Sequence, residues 1–299
     1  MIPANIYINL RFAYSVYVNP AMASMKNYLK AHGIMKPVDL FSVYRPNNLT
    51  WISQGSLEAD FPLTIIPDNV KAVGPINLAA ASAAEQDPEL ATWIKKAPTV
   101  MINLGSHLDY DERDAKEMAG AIKTLLEFTD VQVLWKIQKR KGRGGAVAVD
   151  FPMDFVKDLL GGSFGRLRMT KWLSIDPPAM LETGNIAAAV THGGASSFHE
   201  AMINGVPQVI IPVWLDHYEF ATRAELFGIG IWGSRKNAPK WDRKELGDVF
   251  LKVLGNSSQA VQVRENAKDF AKKFEGKPGR ERAADIIADL AGLGEVSIG

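Results

Sequence analysis

The sequence IAAAVTHGGASSFHEAMINGVPQVIIP, residues 186–212, reads in the order strand, turn, helix and strand. IAAAV and QVIIP are short and apolar throughout, as strands buried on both faces of a parallel sheet should be. THGG is a turn after the first strand, and the polar start of SSFHEAMIN suits the first turn of a helix. Gly205 predicts the end of that helix, because glycine readily adopts the left-handed conformation of a C-terminal cap.

The same alternation extends over the chain from Pro98 onward. The apolar runs TVMINLGS, VQVLWKI and LRMTKWL alternate with the helical patterns DAKEMAGAIKTLLEF, MDFVKDLL, PPAMLETG and HYEFATRAELFG. Strands that alternate with helices predict an α/β fold with a doubly wound parallel sheet. Ligands of such sheets lie beyond the carboxyl ends of the strands. The loops at Ser106, Trp172, His192 and Asp216 all follow strands. We therefore expect them to meet along one edge of the sheet, at the carboxyl ends of its strands, which we call the rim.

The turn THGG and the helix after it allow two interpretations. Glycines let a ligand approach the backbone closely, and a helix N-terminus presents free N–H groups with a partial positive charge. Together they predict a phosphate site, to which Ser196, Ser197 and His192 add donors. Ser197-x-x-Glu200 also has the pattern of a capping box, in which both residues only satisfy the helix itself. The residues alone leave the two interpretations even.

Composition limits the possible functions. The chain has 299 residues, a net charge of +1 and no cysteine, so no global field favours nucleic acid or anionic lipid, and disulfides and thiolate metal sites are excluded. No apolar run reaches the length of about 20 residues that a membrane helix needs. Arg11 interrupts the apolar opening stretch, which we do not interpret as a signal peptide. We expect a cytoplasmic protein. The basic run KIQKRKGRGG favours a solvated surface loop, since it lacks aromatic neighbours.

Residues 1–75 differ in pattern from residues 76–299. AMASMKNYLKAHG is a helix candidate with Met22, Met25 and Leu29 on one face, NLTWISQGSL is a candidate strand, and DFPLTIIPDNVKAVGPI is typical of a connector. One helix and one or two strands do not bury a core alone. We therefore expect residues 1–75 to be the remnant of a further domain with a connector, and residues 76–299 to be the ligand-binding domain.

Several motifs share the order and spacing of one family. WLSI begins at Trp172, and THGGASSFHE, GVP, IP and then Asp216-His217 follow it. This arrangement resembles the nucleotide-sugar half of UDP-glycosyltransferases, the group with the plant secondary product glycosyltransferase box. KPGRERAADIIADL is most similar to fungal members. The resemblance runs from about Phe61 to the last helix. It implies the Rossmann-like C-terminal domain of a GT-B glycosyltransferase, preceded by a remnant of the N-terminal acceptor domain.

The resemblance also implies roles for the residues of the rim. Trp172 would stack on the uracil with its indole face. Glu200 would accept hydrogen bonds from the ribose hydroxyls, and Asp216 and His217 would face the hydroxyls of the sugar. The diphosphate would be held by Ser106, His192, Gly194, Ser196 and Ser197. Asp216-x-x-Glu219 is again a capping-box pattern, which leaves a structural role for Asp216 open.

Four positions depart from the family pattern. Ile175 stands where the family usually has Gln, which implies looser recognition of the uracil or the ribose. Ala195 replaces a large aromatic residue, Ser196 replaces Asn, and His217 replaces the Gln of an Asp-Gln pair.

The catalytic residue is unknown from the sequence. In the family the base is a histidine near the start of the first domain, and no position here matches it. His32 is placed at a helix end as a cap, His107 is near the donor phosphates, and His199 is on a helix where packing accounts for it.

Three functional hypotheses follow. The first is the donor-binding half of an inverting glycosyltransferase, which would use UDP-glucose or a related UDP-sugar, a sterol, lipid or secondary metabolite as acceptor, and a separate N-terminal polypeptide. The second is a truncated, non-catalytic module that binds a nucleotide sugar. The third, a dinucleotide enzyme, lacks the G-x-G-x-x-G pattern. We expect no cofactor beyond the donor substrate, no metal and no nucleic-acid partner.

Overall fold

The computed structural model describes residues 2–34, 49–106, 108–139, 151–214, 216–276 and 278–295. These residues divide into two compact units, Met1–Trp51 and Ile52–Gly299. His107 and most of the basic run, residues 140–145, lie outside the described residues.

The first unit contains two helices, α1 (Ile2–Tyr17) and α2 (Pro20–Ala31). The sequence pattern predicted α2 alone. Asn19 begins α2 by accepting a hydrogen bond from the backbone N–H of Ala21, and His32 ends it as predicted. The His32 ring nitrogen Nδ1 lies 2.9 Å from the carbonyl oxygen of Tyr28. No side chain of α2 is buried.

The second unit is built on two sheets. The small sheet pairs β1 (Trp51–Ser53), whose first residue is the last of the first unit, with β2 (Val70–Ala72). The large sheet has six strands, β3 (Thr99–Asn103), β4 (Gln132–Lys136), β5 (Leu167–Thr170), β6 (Ile186–Thr191), β7 (Gln208–Ile210) and β8 (Gly230–Trp232). Their order is β5-β4-β3-β6-β7-β8, and every neighbouring pair is parallel.

Ten helices of the described residues belong to the second unit. They are α3 (Ala83–Gln86), α4 (Pro88–Ile94), α5 (Glu112–Phe128), α6 (Asp154–Leu160), α7 (Pro177–Leu181), α8 (Ala195–Ile203), α9 (His217–Leu226), α10 (Arg243–Leu254), α11 (Ser258–Ala271) and α12 (Gly279–Glu295). Short 3-10 turns occur at Leu57–Ala59, Gly161–Arg166 and Lys272–Phe274. None of the helices that the structure describes has the length and apolar composition needed to span a bilayer.

Helices cover both faces of the large sheet, which confirms the doubly wound α/β fold. All five residues of β3 are buried, and alternate side chains point to opposite faces. Val100 and Ile102 join the apolar cluster of α5 and α10, whereas Met101 joins that of α4 and α7. The continuous apolar runs of the sequence thus correspond to strands buried on both sides.

The segment before residue 75 belongs to the second unit from Ile52 onward, so the boundary between the units is earlier than the boundary predicted from composition. Ala59 is 1% exposed and packs in the apolar cluster of α8 and α9. The carboxylate of Asp60 lies 2.9 Å from the guanidinium of Arg223 on α9. These contacts attach the predicted connector to the body of the second unit.

Candidate functional site

The start of α8 tests the capping-box interpretation of THGGASSFHE. The helix begins at Ala195, and Gly194 is its N-cap, with no side-chain hydrogen bond to the cap. Ser196 and Ser197 are therefore the second and third helical residues, so the Ser197–Glu200 capping box is wrong. The backbone N–H groups of the first turn have no partner within the helix. Both serines lie in this first turn, and their binding of phosphate stays a prediction.

The start of α9 gives a similar result for Asp216. Asp216 occupies the N-cap position, but its backbone is already helical and its side chain makes no capping hydrogen bond. The capping-box interpretation of Asp216 and Glu219 is therefore wrong as well. The carboxylate of Asp216 is exposed on the rim, on the loop that follows β7.

The His192 ring lies between two glycines from different loops. A Cβ at Gly105, in the loop after β3, would lie 2.8 Å from the ring, and one at Gly194 would lie 2.7 Å from its Nε2 atom. Real Cβ atoms essentially never approach so closely. The imidazole fits only because glycine occupies both positions, and the ring is held at the start of the turn that precedes α8.

His217 is joined to the same loop. The His192 and His217 rings meet edge to face, with centroids 4.6 Å apart. A Cβ at Gly193, whose φ is +88°, would lie 3.0 Å from the backbone oxygen of His217. Close contact between the two loops requires glycine here for both space and conformation. The turn before α8 and the start of α9 therefore form one packed group.

Trp172 stands at the other end of the rim, after β5, with 62% of its surface exposed. One side of its indole is occupied by Lys136, whose Nζ lies 4.2 Å from the ring centroid. The same Nζ donates a hydrogen bond to the carbonyl oxygen of Gly105 at 3.0 Å. A pocket of about 190 Å³ opens beside these groups, and its lining includes Ser106 and Ile175. Lys136 thus connects the Trp172 loop to the loop that holds His192.

Lys136 is a residue of the site that the sequence analysis missed. It ends the buried strand β4 and is only 6% exposed. Burial lowers the pKa of its ammonium group. The sequence VLWK contained a signal for this residue, namely a lysine at the carboxyl end of an otherwise apolar strand. Lysine is almost never fully buried unless it is paired, so a lysine in that position indicates a specific contact.

Glu200 is half-buried on α8, where it is the sixth residue of the helix. Burial, and secondarily the negative charge of Asp176, raise its pKa. Asp176 lines the pocket beside Trp172. Glu200 and Asp176 are thus close enough for their charges to interact, and the contact of Glu200 with a ribose stays a prediction.

His199 is a further histidine of the second unit, and it packs among the apolar side chains of α8 and α9. His199 is 3% exposed, and its ring meets Phe198 and Phe220 at centroid distances of 5.5 and 5.8 Å. Burial lowers its pKa to about 4, and Arg223 adds to that effect. The expected packing role of His199 is confirmed. Burial also lowers the pKa of His217, against the opposing effect of Asp216, so His217 is neutral near pH 7.

No group of three or more metal-ligating side chains is found among the residues that the structure describes.

Comparison with known proteins identifies relatives of this chain. Residues 4–235 match the sequence profile of the family described as UDP-glucoronosyl and UDP-glucosyl transferase. The glycosyltransferase sdnJ of Sordaria araneosa is 32% identical over 97% of this chain and 59% of its own length. The 2-hydroxyacylsphingosine 1-beta-galactosyltransferase of Mus musculus is 26% identical over 92% of this chain and 44% of its own length. The chain therefore spans about half the length of these relatives.

Solved structures share the fold. Os79 from O. sativa, solved in complex with UDP and deoxynivalenol-3-glucoside, matches with a TM-score of 0.54 at 19% identity, over 74% of this chain and 49% of that one. The doubly wound sheet is thus the Rossmann-like domain of GT-B UDP-glycosyltransferases. With a profile match that covers most of its residues, this chain belongs to the UDP-glucoronosyl and UDP-glucosyl transferase family.

Proposed function

We propose that this chain is the donor-binding part of a UDP-glycosyltransferase and that it holds a UDP-sugar along the rim between Trp172 and His217. The donor is UDP-glucose or a related UDP-hexose. The hexose is transferred to the hydroxyl group of a small molecule, such as a sterol, a lipid or a secondary metabolite. The mouse relative, which is named for the transfer of galactose to 2-hydroxyacylsphingosine, supports a lipid among these acceptors.

One observation carries the proposal, namely the continuous contact from one end of the rim to the other. Trp172 meets Lys136, Lys136 meets Gly105, Gly105 encloses His192, and His192 meets His217. An exposed indole, a helix N-terminus with glycines, and an imidazole with a nearby carboxylate follow each other in that order. This is the order of base, diphosphate and hexose in the donor.

The same arrangement supports the departure of UDP. When the glycosidic bond to the diphosphate breaks, negative charge increases on the phosphate oxygens. The N–H groups at the start of α8 and the donors of Ser196, Ser197 and His192 surround the position where that charge develops, and such fixed donors stabilise it. The general base that activates the acceptor hydroxyl is not assigned to any residue. We propose that it belongs to an acceptor-binding domain on the same or a separate polypeptide.

Calorimetric titration with UDP, UDP-glucose, UDP-galactose and NAD tests the proposal. We expect UDP and at least one UDP-hexose to bind, and NAD not to bind. Trp172→Ala should weaken UDP binding by about tenfold, since stacking of a base on an aromatic ring contributes roughly 1–3 kcal/mol. Trp172→Phe, which keeps a ring, should lose less. Equal UDP affinities of the wild type and Trp172→Ala would refute the proposed site.

A binding module without catalysis would give the same titration. The transfer assay described in the Discussion separates it from an enzyme component.

A further inference from the structure

Trp214 is an exposed tryptophan on the rim, and none of the contacts proposed above for the donor involves it. It follows β7 by four positions and precedes Asp216 by two. Its surface is 65% exposed, and Trp172 is the other tryptophan among the seven that is exposed to this degree. Large exposed aromatic side chains are frequent at binding sites, because their burial by a ligand releases much apolar surface.

The backbone of Trp214 is fixed to the start of α9. The N–H of His217 donates a hydrogen bond to the carbonyl oxygen of Trp214 at 3.0 Å. Trp214, Asp216 and His217 therefore leave the main chain within a single turn. The carboxylate of Asp216 is exposed, and the buried Nδ1 atom of His217 has no hydrogen-bond partner among the described residues. A buried ring nitrogen without a partner costs free energy in the folded chain.

The strand order shows where this turn lies relative to Trp172 and His192, at which the base and the diphosphate of the donor are proposed to bind. Trp172 follows β5 and Trp214 follows β7, four strand spacings away, which is about 19 Å at the usual separation of strands. The phosphate-binding turn at His192 follows β6, the immediate neighbour of β7. A donor that stacks its base on Trp172 and leaves its diphosphate at His192 therefore extends its hexose toward the turn after β7.

A hexose has two kinds of surface, a ring of hydroxyl groups at its edge and apolar C–H groups on its faces. The turn after β7 offers groups for both, since Asp216 and His217 can bond hydroxyls and an indole can cover a C–H face. Sites for small ligands typically combine apolar walls with a few placed polar groups in this way.

We propose that Trp214 is the apolar wall of the hexose subsite. Its indole packs against the C–H face of the transferred sugar while Asp216 and His217 bond the sugar's hydroxyls. The inference rests on the proposed function, because it needs the base and the diphosphate to occupy the rim as described. It adds a residue that determines how strongly the hexose, as distinct from UDP, is held.

Titration of Trp214→Ala with UDP and UDP-glucose tests this role. We expect UDP to bind within about twofold of its wild-type affinity and UDP-glucose to bind about fivefold more weakly, which is the size of one aromatic contact. Trp214→Phe should retain most of the UDP-glucose affinity. Phe128→Ala removes another exposed aromatic residue, 67% exposed at the end of α5, and should change neither affinity. Thermal melting confirms that each variant folds.

The outcomes separate this inference from the proposed function. Unchanged UDP-glucose affinity in Trp214→Ala, or equal weakening of UDP and UDP-glucose, would overturn the role of Trp214 alone. Failure of the wild-type chain to bind UDP would overturn the proposed function and the hexose subsite with it. Selective weakening of UDP-glucose supports both.

Discussion

Glu200 has a half-buried carboxylate that costs free energy in the folded protein. Burial and the neighbouring Asp176 raise its pKa above the ordinary value of 4.5, so the charged form is disfavoured on folding. Any stabilisation from this group is present below pH 4.5 and is lost as the pH rises through the raised pKa. Glu200 thus has a charge that costs free energy, and it does not cap the helix. Both observations favour a function of Glu200 in ligand binding.

We expect Glu200→Gln to weaken UDP binding and to leave the melting temperature at pH 7 unchanged or higher. The amide keeps the shape of the side chain and removes the buried charge, but it replaces one acceptor oxygen with a donor group. Calorimetry with UDP and a thermal melt of the same sample measure the two quantities. Unchanged UDP affinity would show that Glu200 does not contact the donor.

A second consequence for Glu200 concerns pH. Wild-type affinity for UDP, measured relative to that of Glu200→Gln at each pH, should decline as the pH falls through the raised pKa, beginning above 4.5. The comparison with Glu200→Gln removes contributions from groups other than Glu200. A constant ratio of the two affinities between pH 7 and pH 4.5 would contradict this assignment.

At the scale of elements, the fit of the His192 ring between the loop after β3 and the start of α8 is the contact most sensitive to substitution. We expect Gly194→Ala to lower the free energy of unfolding by about 1–3 kcal/mol and to weaken UDP binding, because the new methyl group displaces the ring. Gly194 has φ of −65°, which alanine adopts freely, so the backbone does not contribute to the loss. Denaturant unfolding and UDP titration measure the two effects.

Two further variants control for this effect. Gly162→Ala should cost little, since a Cβ there has no neighbour within 4 Å. His192→Ala combined with Gly194→Ala should recover stability without recovering UDP affinity, because the methyl group then has room while the imidazole is absent. A Gly194→Ala protein as stable as the wild type would show that the two glycines do not confine the ring.

Local sequence patterns predicted most of the elements but not all of their boundaries. Five strands of the large sheet follow from apolar runs, whereas β8, with three residues beginning at Gly230, pairs only with β7 and depends on that partner. Both Ser/Asp-x-x-Glu patterns suggested capping boxes that do not form. In α8 the helix begins two residues before Ser197, because Gly194 and the tightly packed turn fix its start.

Lys136 illustrates the limit for the site. Its position on the rim could be predicted from the end of β4, but its contacts with Trp172 and Gly105 join loops that are distant in sequence. Trp172, His192 and Asp216 were expected on one rim because parallel strands end on the same edge. Which side chains then touch depends on strand order, and alternation of strands and helices alone does not determine that order.

For the whole molecule, we expect donor binding without sugar transfer. General-base catalysis commonly contributes about 10²- to 10⁴-fold to the rate, and the base must reach the acceptor hydroxyl. Among the described histidines, the proposed function assigns His192 and His217 to the donor, His199 is buried with a pKa of about 4, and His32 ends α2. None of these four is assigned to the acceptor.

A panel of sterol, lipid and phenolic acceptors with UDP-glucose and UDP-galactose tests this expectation, with product detected by mass spectrometry. We expect transfer only when a polypeptide that carries the acceptor-binding domain is added. Turnover by the chain alone would contradict the expectation, and His32 and His107 would then be the first residues to substitute. No transfer after the addition of such a domain, together with intact UDP binding, would favour the non-catalytic module.

The distribution of the tryptophans has an optical consequence. Trp93, Trp135 and Trp241 are buried, while Trp172 and Trp214 stand exposed at the two ends of the rim. Trp51 and Trp232 are only partly exposed, so the emission at long wavelength that a soluble quencher can reach comes most strongly from Trp172 and Trp214, which the proposed donor would cover. Near Trp172 the ammonium of Lys136 also attracts an anionic quencher such as iodide more than a neutral one such as acrylamide. The protein thus carries an intrinsic fluorescent reporter at each end of its proposed ligand, without any added label.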